Sequence, residues 1–363
     1  MSTELKSWVP SPIPQLELGP ARWNGTAIVS DISAAGSQRL IGIGLIERLV
    51  LESIDGEKSV EQILEGLRAD GLDLPEGKLH AILNKFAFFG VIKRPFTTGR
   101  GIGQVDSESA RAPGVREDQV TTAKEQRGVL ALWKNMTRLA TPPMFTILTV
   151  CGIAALVALA VTVPRALETL KGAEILFLAL GVFIAILWSM IVTITHENAH
   201  AAVFNAYSSR EPYLALTRFG IILMPNTHMP GISLMKPKRK VAVVSAGPLT
   251  SMLLAAIPVA IYWASENPDV QTVVAACIVL DALIIGLGIS LFPNTDATRV
   301  LETISGVDQI QAVGFRTLAR KYRLPASLPK KTRVSIRAYP VLLLATTGIW
   351  LVAIGWAIRL ILN

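Results

Sequence analysis

Apolar residues are distributed along this chain in two regimes. Up to about residue 95 they recur at short intervals among polar ones, the pattern of a small water-soluble domain. From Met144 onward they gather into runs of roughly 20, the helix length that crosses a hydrocarbon layer about 30 Å thick. Five runs qualify, near residues 144–163, 174–204, 241–264, 270–293 and 340–362. The second is longer than a bilayer needs, so its end is expected to emerge from the lipid.

Ahead of the spans, residues 1–20 are rich in proline and read as unstructured. Residues 21–96 read as an α+β module: a strand over 26–29, a helical run "SQRLIGIGLIERLVLESI" over 37–54, and two more helices. The middle helix has a start signal, because Ser59 followed by Gln62 forms a capping box ahead of Ile63, Leu64 and Leu67. The third, over 76–89, places Leu79, Ile82, Leu83 and Phe86 on one face and stops at Gly90, before a strand-like "VIKR". Helices closed by small strands suggest a winged-helix-like fold. Residues 97–127 are polar and rich in Gly, Ser and Thr, hence a flexible linker. The stretch "GVLALWKNMTRLATPP" then reads as an amphipathic lead-in to a membrane domain over 128–363.

Composition strengthens the membrane reading, since 51% of the 363 residues are hydrophobic and 17% charged. Charge gives it a direction. Lys and Arg crowd the connection between the second and third spans (Arg210, Arg218, Lys236, Lys238, Arg239, Lys240) and that between the fourth and fifth, from Arg299 to Arg337. The first-to-second connection has Arg165 and Lys171, and "SENPD", between the third and fourth, has neither residue type. Basic loops favour the cytoplasm, so the N-terminus is expected inside and the C-terminus outside. The net charge of +8 is then inner-face anchoring to anionic lipid, and nucleic acid is not an expected partner. Cys151 and Cys277 fall inside apolar runs, where they read as packing residues.

The chemistry sits where the second run ends, in "TITHENAHAAVF". His196 and His200 are four apart, so on a helix both imidazoles project from one face, at two corners of a tetrahedral zinc site. Glu197, beside the first, is placed to take a proton from the attacking water. Zinc requires a further protein ligand and an open position. Asp296 is the candidate, three residues after Pro293 in "ISLFPNTDATRVLE" and on the same side of the membrane by the loop charges. Its alternative role is to cap the helix beginning "ATRVLETI". Asp281 lies deeper in the fourth span, fit either to pair inside the bundle or to move protons. His228, in the loop "MPNTHMPGISL", reads as facing solvent or substrate. The stretch "YLALTRFGIILM" is β-rich and follows the zinc helix, where a hairpin edge would hold a peptide extended.

Two resemblances follow from these motifs. "LESIDGEKSVEQILEGL" and "FAFFGVIKR" make residues 21–96 similar to PqqD-like domains, which recognise the leaders of ribosomally made, modified peptides. A winged helix also suits DNA binding or docking of partners. The zinc motif, followed by "RKVAVVSAGPLTSMLLA" and a later Pro-x-x-Asp, resembles the site-2 protease family of intramembrane metallopeptidases. That resemblance implies one zinc ion bound by His196, His200 and Asp296, with Glu197 as general base. It also implies substrate-positioning roles near Gly247, Pro248 and Ser251, with Asn294 and His228 as further candidates. The chain departs from the family at Ser251 and Ser290, where asparagine is usual, and at Ala297, where glycine is usual. Together the resemblances imply a leader peptidase in a bacterial plasma membrane, whose substrate is a peptide or protein. The rival expectations are a regulatory protease cutting a membrane-bound transcription inhibitor, and a peptide export, immunity or docking protein that performs no catalysis.

Overall fold

The computed structural model describes residues 7–34, 40–93, 137–219, 222–319 and 324–362. It comprises two compact units, one of Met1–Thr121 with Gly231–Lys236, the other of Thr122–Pro230 with Pro237–Asn363. The predicted linker over 97–127 and the start of the lead-in, up to residue 136, lie outside the described residues.

In the first unit, strand β3 (Ile28–Ala34) is central. It pairs antiparallel with β1 (Leu16–Leu18), β2 (Arg22–Trp23) and β4 (Ile41–Gly44). Helices α1 (Leu45–Glu52), α2 (Val60–Ala69) and α3 (Glu76–Phe88) follow. Two expectations are corrected here. The segment 1–20 is not wholly irregular, because Leu16–Leu18 joins β3 and Pro12 bridges Ile92. The run 37–54 is not one helix. Ile41 and Ile43 alternate with Gly42 and Gly44, so the period is 2 and the two isoleucines enter the core while Gly42 stays outside; the helix begins at Leu45.

The helix signals hold. Ser59 accepts the Gln62 N–H and Gln62 Oε1 accepts the Ser59 N–H. Gly90, at φ +70°, ends α3 with a full Schellman motif, in which Val91 N–H donates to Phe86 and Gly90 N–H to Ala87. Leu79, Ile82, Leu83 and Phe86 are all buried, in one core with Ile32, Ile43 and Ile63.

Among the described residues the second unit carries five helices long and apolar enough to cross a membrane. They are α4 (Pro142–Lys171), α5 (Ile175–Tyr207), α6 (Pro237–Ala264), α7 (Pro268–Ile289) and α10 (Lys330–Leu362). A hairpin of β5 (Tyr213–Phe219) and β6 (Ile222–His228) joins α5 to the chain before α6; the shorter α8 (Asp296–Ser305) and α9 (Ile310–Leu318) lie between α7 and α10. The predicted spans are corrected at three ends. Helix α7 stops at Ile289 rather than reaching Pro293, consistent with proline disfavouring helical backbone before it. Helix α4 runs through Pro164, and α10 begins ten residues before Pro340 and contains it. Runs of hydropathy mark the oil, whereas polar turns of helix extend beyond it.

Helices α6 and α7 pack on each other, and both pack on α4 and on α5. Small residues set the approach: a Cβ on Gly152 would meet the Leu249 carbonyl at 3.0 Å, and one on Gly181 would meet Ala276 and Val273 at 3.2 Å. Polar bonds cross the apolar interior. Trp188 Nε1 donates to Asp281 Oδ2 at 2.9 Å, joining α5 to α7, and Trp263 Nε1 donates to Thr162 Oγ1 at 3.0 Å, joining α6 to α4. Asp281 therefore pairs inside the bundle, and its side chain is 1% exposed with the rest of the residue. Outward, Ile147, Val157, Val161, Leu176 and Phe183 are exposed, as a lipid-facing surface requires.

Candidate metal centre

Three elements meet at the site. Helix α5 carries His196, Glu197 and His200 past the end of its most apolar stretch, α6 passes beside them at Gly247, and α8 starts with Asp296. One α-helical turn separates His196 from His200, and their rings stand edge to face with centroids 4.7 Å apart.

Each imidazole is held from behind. His200 Nδ1 lies 2.7 Å from the Val243 carbonyl, which can only accept, so Nδ1 donates to it and Nε2 faces Asp296 and His196. His196 Nδ1 lies 2.9 Å from Ser251 Oγ. Outer partners of this kind fix the ring orientation of metal-binding histidines. Ser251, expected to position substrate, thus stands against the His196 ring.

Asp296 is brought in by a stapled turn. Asn294 adopts a left-handed conformation at φ +66°, and Thr295 caps α8 by accepting the Thr298 N–H. Thr298 Oγ1 donates to the Phe292 carbonyl at 2.7 Å, and the buried Tyr339 of α10 donates its hydroxyl to the Leu291 carbonyl at 2.9 Å. Capping is therefore done by Thr295, and the Asp296 carboxylate is free to face the histidines. Burial opposes its ionisation, but the hydrogen bonds from His196 and His200 outweigh this and hold the carboxyl well below the usual range.

His196 Nε2, His200 Nε2 and Asp296 Oδ2 form a triangle with sides of 3.0, 3.2 and 3.6 Å. Its circumscribed radius is about 1.9 Å, and zinc bonds to nitrogen and oxygen run about 2.0–2.2 Å, so one ion can reach all three atoms from just outside their plane. The three residues could hold a metal ion. A Cβ on Gly247 would collide with the Nε2 atoms of both histidines, so glycine keeps that space open. The side chains of His196 and Asp296 are 20% and 16% exposed, against 5% for His200, which leaves an approach from one side.

Glu197 points elsewhere than its neighbours. Its Oε2 accepts the backbone N–H of Thr227 in β6 at 2.6 Å, and Thr227 Oγ1 donates to the Glu197 carbonyl at 2.9 Å. The predicted hairpin is present and extends to His228, whose ring packs on Tyr213 with centroids 4.6 Å apart. His228 lies outside the group of His196, His200 and Asp296. Pro248 lies within α6, next to the glycine, and Asn294 is exposed on the turn before Asp296.

Sequence reasoning did not single out Thr227, Val243 or Tyr339. Val243 contributes a backbone carbonyl, which carries no side-chain signature. Thr227 contributes a backbone N–H with its hydroxyl, and its position in "MPNTHMP" next to a β-rich run was the available hint. Compared with known proteins, the chain matches no family model, and no curated protein or solved structure is significantly similar to it.

Proposed function

We propose that this chain is a membrane-embedded zinc endopeptidase that hydrolyses a peptide bond at the cytoplasmic edge of the membrane. Its substrate is read as the precursor of a ribosomally made, modified peptide, with the leader held by residues 21–96. The observation that carries the reading is the convergence of His196, His200 and Asp296 on one point beside Glu197, at the end of a membrane helix. The donor set of two imidazoles and one carboxylate suits zinc. A zinc ion there would polarise the scissile carbonyl and make water a better nucleophile.

The residues supply the remaining steps. With Oε2 engaged by Thr227, Glu197 Oε1 is the oxygen left to take the proton from the attacking water. As the C–O bond forms and the C–N bond breaks, Glu197 passes that proton to the leaving nitrogen, so no proton is lost overall. A helical substrate has its carbonyls shielded, and the β5–β6 hairpin offers an edge along which a peptide can be held extended. Leader capture by residues 21–96 raises the local concentration of the cleavage segment. The proposed location is a bacterial plasma membrane with the N-terminal unit in the cytosol and the C-terminus outside, an orientation that the Lys- and Arg-rich loops support.

The test is purified protein incubated with a soluble precursor and read by mass spectrometry, with Glu197→Gln and chelator-treated samples in parallel. The wild type alone is expected to yield two fragments, with Glu197→Gln slowed by about 100-fold or more. Equal products from all three samples would overturn the reading, and cleavage only of a membrane-spanning substrate would favour a regulatory protease instead.

A further inference from the structure

The carboxylate read as the general base is held by a strand as well as by its own helix. Thr227 N–H donates to Glu197 Oε2 and Thr227 Oγ1 to the Glu197 carbonyl, so one residue of β6 grips the side chain and backbone of one residue of α5. In the hairpin ladder Thr227 stands opposite Leu214. Pairs in an antiparallel ladder alternate between hydrogen-bonded and non-bonded. A Thr227 N–H donated to Glu197 is not donated to Leu214, so it leaves the hairpin on the edge away from β5. Pro225, two residues earlier and hence on that same edge, has no N–H to offer. The edge of β6 at this end thus commits its donor at 227 to the carboxylate.

We propose that Thr227 is the positioning residue for Glu197, an inference that rests on the hydrolytic reading above. An unheld glutamate carboxylate rotates about its last bond and presents either oxygen. The Thr227 N–H, in a charge-assisted bond of 2.6 Å, fixes Oε2 and thereby assigns proton transfer to Oε1. The hydroxyl bond to the helix carbonyl holds strand and helix in register. A peptide lying along the hairpin is consequently aligned by the same element that sets the base, so the position of the scissile bond and the position of the proton acceptor are coupled.

The full chain is tested with two substitutions. Thr227→Pro removes the N–H together with the hydroxyl and spares the ladder, because that N–H takes no part in it, whereas Thr227→Val removes the hydroxyl alone, so the difference between the two reports the N–H. Thr227→Pro is expected to lower kcat by about 100-fold with KM and metal content unchanged, and Thr227→Val to lower it by less. Undiminished kcat in Thr227→Pro overturns the proposal, as does a loss carried by KM or by the metal.

Amide hydrogen exchange gives a readout independent of turnover. The Thr227 amide is expected to be protected in the wild type and to lose protection in Glu197→Ala; an amide exchanging equally fast in both overturns the proposal even if precursor is cleaved. A wild type that protects this amide but cleaves no precursor keeps the contact, overturns the hydrolytic reading, and with it the role assigned to Thr227.

Discussion

A single methyl group at position 247 would stand where both histidine Nε2 atoms point. The glycine in "SAGPLT" matches a family motif in sequence, and the geometry gives it a second reading, as the open space beside two nitrogens that could hold a metal. Gly247→Ala is expected to remove bound metal while leaving the helices formed, since alanine is the better helix former. Metal analysis beside circular dichroism would check this, and full metal content would contradict it. The histidines themselves were legible because the spacing of four residues on a helix is a statement about side chains. Thr227 was not, because the group it offers Glu197 is a backbone N–H that every residue but proline carries.

Among the elements, the spans were legible in their existence and less so in their ends. Hydropathy reports where a helix contacts oil, so α10 was read from Pro340 although its helix begins at Lys330, with the basic turns "KKTRVSIRAY" beyond the apolar run. The boundary of β4 and α1 was illegible for another reason. In "RLIGIGLIERLVLESI" the isoleucines and leucines satisfy a period of 2 at one end and 3.6 at the other, and pairing with β3 decides where the change falls. The hairpin was legible from its β-rich composition, and in the proposed function it presents the substrate in extended form. Proline substitutions along residues 214–222 are expected to abolish precursor cleavage with metal content retained. Cleavage that survives them would remove the hairpin from the account.

At the scale of the whole molecule, the chain runs from a small α+β unit with its own hydrophobic core into a helical unit whose outer surface is apolar. Asp296 lies a hundred residues from His196 in sequence, and the link between them was legible only through the sidedness of basic loops and the pattern of a protein family. In the fold that link is physical. The turn after α7 is fastened by Thr295, Thr298 and Tyr339, which presents the carboxylate to the end of α5. The unit as a whole therefore gathers a group that could hold one metal ion, from side chains of two distant helices beside a glycine of a third. The most direct test is the metal content of purified protein after exposure to zinc and removal of excess, measured for the wild type beside Asp296→Ala. The account predicts about one zinc per wild-type chain and a large loss in Asp296→Ala. A wild type that retains no zinc, or an Asp296→Ala protein that retains as much as the wild type, would contradict it.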